Sequence, residues 1–210
     1  MSEKAKRYAI FAIGLFINSL GVSFITTADL GTSPISSIPY VLSLNAPLSL
    51  GQFTILFNLL IVLVQLPILK KQFQWELWLQ VPVTLLFGWF IDLTMVPLAA
   101  IAPQTYLWKL GFLLLGCLIL GFGVYLEMAA NVAMLPGESF VRAVSTTWHR
   151  DFGLTKIVFD VSMSLTAAGL SLILAHTLDG VREGTLIAAL LVGLVARTCR
   201  LQHQGAGQPA

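Results

Sequence analysis

The sequence predicts an all-α integral membrane protein. Six long transmembrane helices and two short helices, re-entrant or broken, form two internal repeats of about 100 residues in opposite orientations. Three observations carry this. Of 210 residues, 57% are hydrophobic and 10% charged, whereas a soluble domain carries about 25% charged residues. Six long apolar segments can be drawn, at about 8–25, 51–69, 78–99, 106–125, 154–175 and 184–197, with short apolar stretches at 34–44 and 137–145. The chain also matches itself without gaps at a shift of 102 residues.

The first segment follows Lys4, Lys6 and Arg7, which gives it the look of a signal peptide. It is long for one and its pattern recurs, so the expectation is a retained first span. Ala28-Asp29-Leu30-Gly31-Thr32-Ser33-Pro34 then sets a carboxylate, a glycine, two hydroxyls and a proline where the helix must end or break. Gly31 tolerates positive φ. Ser33 and Pro34 suit the N-cap and first turn of a new helix. That helix, to about Leu44, is too short for a bilayer, which needs about 20 residues. Irregular backbone survives at membrane depth only where protein or a water-filled cavity satisfies it, and transporters place their sites at such breaks. The competing expectation is a loop lying at the membrane surface.

The repeat supports the transporter plan. At the 102-residue shift Gly14 meets Gly116, Gly21 meets Gly123, Pro34 meets Pro136 and Gly51 meets Gly153. Phe87-Gly88 corresponds to Val192-Gly193 after a small insertion. The units are 1–101 and 102–200, with a disordered tail over 201–210. Polar positions pair as well: Asp29 with Asn131, Ser36 with Glu138, Asn58 with Asp160 and Thr54 with Lys156. If the short helices do not cross, Lys4, Lys6, Arg7, Lys70, Lys71, Arg142, Arg150, Arg197 and Arg200 share one side, leaving only Lys109 and Arg182 opposite. The positive-inside rule then gives six spans, both termini cytoplasmic and inverted halves.

Polar side chains in a bilayer face the bundle interior. The expected substrate contacts are Asp29, Gly31, Thr32, Ser33, Pro34, Ser36 and Asn58, with Asn131, Pro136, Glu138 and Ser139 in the second half. Proton coupling needs a buried carboxylate with a raised pKa. Asp160 leads, followed by Asp29, Glu127 and Asp92. Asp160 lies about six residues, roughly 9 Å of helical rise, into its segment. Lys156, one turn earlier, is close enough in sequence to pair with it. Glu138 and Arg142 form a second candidate pair or gate. Tryptophans and tyrosines, among them Trp75, Trp78, Trp89, Tyr106, Trp108 and Tyr125, read as interfacial anchors.

Net charge of +2 implies no nucleic-acid partner. Cys117 and Cys199 suggest neither disulfide nor metal. The three histidines are scattered. No metal, triad or phosphate-loop pattern appears, so neither enzyme nor cofactor is expected.

Asp29-Leu30-Gly31-Thr32-Ser33-Pro34 resembles the "GLGTSPWD" signature of the YitT/YczE-type bacterial membrane proteins. Leu50-Gly51-Gln52-Phe53-Thr54-Ile55 with Asn58, and Leu86-Phe87-Gly88-Trp89-Phe90-Ile91-Asp92, resemble further motifs of that family, together covering about residues 8–197. Ile35-Ser36 stands where the family often has Trp-Asp, and Trp89 where it has Pro. A carboxylate role absent at Ser36 would then fall to Glu138. One branch of proteins of this size is associated with novobiocin export. The resemblance implies an exporter. Taken with the carboxylates and the broken helices, the expectation is a proton-coupled exporter of a small amphipathic compound in the bacterial inner membrane, with a small-molecule substrate, the lipid bilayer and a homodimer as partners. The rival expectation is a non-transporting protein that assists assembly or regulation of a membrane complex.

Overall fold

The computed structural model describes residues 3–69, 76–101, 103–177 and 180–206. Lys70, Lys71 and Trp75 lie outside the described residues, as do the side chains of Arg197 and Arg200. The described chain forms eight helices: α1 (Glu3–Thr27), α2 (Pro34–Asn45), α3 (Leu50–Leu69), α4 (Glu76–Ala99), α5 (Tyr106–Ala130), α6 (Pro136–Thr147), α7 (Phe152–Ala175) and α8 (Glu183–Ala206). The order long, short, long, long occurs twice. Several helices outrun their apolar segments, because intrahelical hydrogen bonds continue into the polar flanks. α8 continues to Ala206, into the polar stretch 201–210, whose residues 207–210 lie outside the described residues.

Among the described residues, five helices are long and apolar enough to cross a membrane: α1, α3, α4 (from Leu77), α5 and α7. The apolar part of α8, Glu183–Ala196, is shorter. Large apolar side chains such as Leu107, Val96 and Ile173 are exposed, as expected of surfaces facing hydrocarbon rather than water. This is a multi-pass membrane-type helical protein.

The centre is a seam between α1 and α5. Glycines bring the two backbones together. A Cβ on Gly21 would sit 2.5 Å from Leu120 N, and one on Gly123 2.5 Å from Asn18 N. Gly116 approaches Ile25 N in the same way, at 2.8 Å. Small residues at a helix interface permit this approach. Leu15, Val22, Ile25, Leu113, Cys117 and Leu120 close the core around it. α4 packs on α1 and α8 on α5, while α2 lies against α3 and α7, and α6 against the same two.

Both short helices start after a residue in the left-handed region: Asp29 (φ 53°) and Asn131 (φ 48°). Asp and Asn visit that region more readily than other side chains. Gly31 has φ 109°, which only glycine adopts without strain.

Candidate functional site

A cavity of about 280 Å³ opens beside the α1–α5 seam, and every helix contributes to its wall. The first turns of both short helices end there, through Ser33, Pro34 and Ser36 on one side and Leu135 and Glu138 on the other. Asn18 enters from α1, Asn58 and Thr54 from α3, and Lys156 and Asp160 from α7. The rest is apolar: Val22, Phe57, Phe87, Leu120 and the small-residue face Ala188, Val192 and Ala196 of α8. Those three α8 residues are four apart, so they form one helical stripe.

The helix starts carry no side-chain cap. Ser33 sits at the N-cap of α2 (φ −63°, ψ 147°) but does not bond a backbone amide. Its hydroxyl donates instead to Ser36 Oγ at 2.9 Å. Leu135, the N-cap of α6, has no polar side chain to offer. Partial positive charge at a helix start favours anions and carbonyl oxygens, and residues of both starts line the cavity.

The charges are arranged unequally. Lys156 Nζ donates to Asp160 Oδ1 at 2.6 Å. The cation also stands 5.9 Å from the Phe159 ring centre. Glu138 has neither a hydrogen bond nor an ion pair among the described residues. Its expected partner, Arg142, turns away and reaches Met134 Sδ at 3.7 Å. Burial raises the Glu138 carboxyl above its ordinary range; Lys156 opposes the shift and Asp160 adds to it. Behind the wall, Asn18 Nδ2 donates to Glu127 Oε1 at 2.8 Å across the α1–α5 seam.

Of the sequence-predicted residues, Ser33, Pro34, Ser36, Asn58, Glu138 and Asp160 meet in the cavity. Others stand elsewhere. Asp29 is exposed and receives a hydrogen bond from Lys109 Nζ at 2.6 Å. Asn131 is exposed as the C-cap of α5. Thr32 is buried beside Thr26 (3.2 Å) and Thr185 (3.3 Å). Gly31 packs against Thr185 and the Arg182 backbone. Pro136 O accepts from Gln65 Nε2 at 3.2 Å, and Ser139 joins Gln65 and Gln80. Asp92 accepts from Gly51 N (2.9 Å) and Ser49 Oγ (2.6 Å), holding the start of α3. Glu127 is one layer behind the cavity.

Sequence reasoning did not single out the apolar wall. The signal for α8 was present, as small residues at 188, 189, 193 and 196. Ser139 was expected at the site, but its association with Gln65 and Gln80 had no signal, because the three lie on separate helices.

A family model described as a family of unknown function (DUF6198) matches residues 5–200. An uncharacterized protein of Bacillus subtilis (strain 168), YyaS, is 27% identical over 191 residues, 90% of each chain. No solved structure matches the chain. The match is to DUF6198, so the likeness to YitT/YczE-type proteins rests on the quoted motifs alone.

Proposed function

We propose that this chain, which belongs to the DUF6198 family of unknown function, is a secondary transporter of a small amphipathic compound in a bacterial inner membrane. One observation carries the reading. Two uncapped helix starts, an unpaired carboxylate and an ion pair converge on one mostly apolar cavity. Ligand sites have this make-up of apolar walls with a few placed polar groups. Transporters build them from broken helices at the interface of repeats.

In this reading α8 is the sixth span: its apolar part, Glu183–Ala196, rises about 21 Å, and local thinning of the bilayer takes up the shortfall. Both termini are cytoplasmic and the halves are inverted. Glu138 exchanges the coupling proton, because no side chain among the described residues holds it, while Asp160 is already paired with Lys156. The polar part of the substrate lies between Ser33, Ser36, Asn58 and Glu138. Its apolar part lies on Phe57 and the α8 stripe. Export of a novobiocin-like compound follows from the motif resemblance and belongs to this proposal.

Purified protein in proteoliposomes, screened with a panel of amphipathic compounds, tests this. Flux driven by a proton gradient should vanish with an uncoupler and in Glu138→Gln, while counterflow exchange persists in the variant. Absence of flux for every compound in either direction would end the reading. For topology, a thiol at Gln104 should react with an impermeant external reagent and one at Arg150 should not; the reverse pattern would sink the inverted arrangement.

A further inference from the structure

Glycines mark matching places in the two halves, and the structure uses them in two ways. In the α1–α5 seam the matched pairs behave alike. Gly21 abuts Leu120 and its counterpart Gly123 abuts Asn18, each with a would-be Cβ at 2.5 Å from backbone nitrogen. Outside the seam they do not. In the first half α3 and α4 touch at Gly51 and Gly88. A Cβ on Gly88 would lie 2.6 Å from Gly51 O, and one on Gly51 2.5 Å from Asp92 Cγ. Their counterparts are Gly153 on α7 and Gly193 on α8. A Cβ on Gly193 would meet nothing within 4 Å, and one on Gly153 only Asp151 Oδ1 at 3.2 Å. Among the described residues α7 packs on α2 and α6, and α8 on α5, with no α7–α8 packing to match that of α3 and α4.

The cavity reaches this gap. Ile157 and Asp160 of α7 line it from one side, and Ala189, Val192 and Gly193 of α8 from the other. The missing contact is therefore the cavity's lateral wall.

We propose that the α7–α8 gap is a gate, and that a second state closes it by bringing Gly153 against Gly193 while α3 and α4 part at Gly51 and Gly88. The opening of the cavity then passes from one pair of helices to the other. The α1–α5 seam, packed alike in both halves, stays fixed. Two small-residue interfaces built on one plan have comparable packing energies, and packed interfaces switch between discrete arrangements rather than deform continuously. A substrate or proton that favours one arrangement shifts the population by its differential affinity.

The gate deepens the transporter reading and rests on it, but its first readout, the cross-link itself, needs no flux. Gly153→Cys and Gly193→Cys are combined in a Cys117→Ser, Cys199→Ser background, in native membranes. A disulfide needs Cα atoms within about 7 Å, which only the closed gate supplies. Copper-phenanthroline should produce the cross-link, seen as a reductant-sensitive mobility shift, and cross-linking should stop substrate flux until reductant is added. The proposal is overturned if no cross-link forms although each single cysteine reacts with maleimide. It is equally overturned if the cross-linked protein transports at the uncross-linked rate. Gly193→Leu supplies the second measurement. It fills space that is open here, so expression should be normal and the maximal flux at least tenfold lower; unchanged flux overturns the gate. Cross-linking without flux in any variant would leave the closure standing and remove the transporter reading instead.

Discussion

The two breaks have the same backbone plan and different bracing. Each turns through a left-handed residue, Asp29 or Asn131, and each leads to a 12-residue helix with proline at its start. The first is tied through backbone to the start of α8. Gly184 N donates to Leu30 O at 2.8 Å, Thr32 N to Thr185 Oγ1 at 3.3 Å, and Arg182 Nη1 to Asp29 O at 3.1 Å. The second is tied through side chains of α3 and α4. Gln65 Nε2 donates to Pro136 O at 3.2 Å, Ser139 Oγ to Gln65 Oε1 at 2.9 Å, and Gln80 Nε2 to Ser139 Oγ at 2.7 Å. Each half therefore steadies the break of the other. The first should tolerate side-chain changes and resist backbone changes, and the second the reverse.

Gly31→Leu should do the most damage. A side chain at φ 109° is strained, and its Cβ would stand 2.5 Å from Thr185 Oγ1 and 3.0 Å from Arg182 N. Backbone strain alone costs about 1–3 kcal/mol, and the clash adds to it. The expected result is loss of folded protein in a detergent melting assay. A normal melt would show that the first break does not depend on its backbone ties.

Gln65→Leu attacks the second break. It strips partners from Pro136 O and from the hydroxyl of Ser139, at about 1–3 kcal/mol for unsatisfied buried groups. Melting should fall by several degrees, and Gln65→Glu should not restore it, since a carboxylate cannot donate to Pro136 O. A melt equal to the parent's would mean water replaces the amide.

Glu138→Gln sharpens the comparison through pH. The carboxyl is raised by burial, so the fold holds the proton more tightly than the unfolded chain does. That stability is fully present below the unfolded value and is lost as pH rises through the raised one. The parent should lose melting temperature over that window and the glutamine variant should not. Parallel profiles would show that Glu138 titrates like a solvated carboxyl.

Asp29→Asn should do least. The Asp29–Lys109 pair is exposed on the carboxylate side (63%), and surface pairs contribute about 0–1 kcal/mol. Asparagine also keeps the left-handed turn. A large loss of stability or flux would return Asp29 to the functional site.

Much of this was legible in the sequence. The breaks were, because Gly31, Pro34 and Pro136 constrain backbone locally. The Lys156–Asp160 pair was too, since residues four apart share a helix face. The sequence expectation for Asp29, by contrast, placed it with the substrate, whereas its left-handed turn directs it to the surface beside Lys109. That contact joins residues 80 positions apart, and no local pattern encodes it. Asp92 was read as a coupling candidate; its carboxylate accepts from Gly51 N at the start of α3, because α3 and α4 approach closely there. The composition of α8 showed a small-residue stripe but not that the stripe faces a cavity.

The α1–α5 seam has a consequence for biogenesis. Asn18, Ser19 and Gly21 are buried on the face that α1 turns to its partners, and Asn18 donates to Glu127, 109 residues later. A ribosome therefore releases α1 long before the helix that seals it exists. Until α5 is inserted, that polar groove faces lipid or a chaperone. The first 101 residues made alone should be degraded, and supplying residues 102–210 as a second polypeptide in the same cell should rescue them.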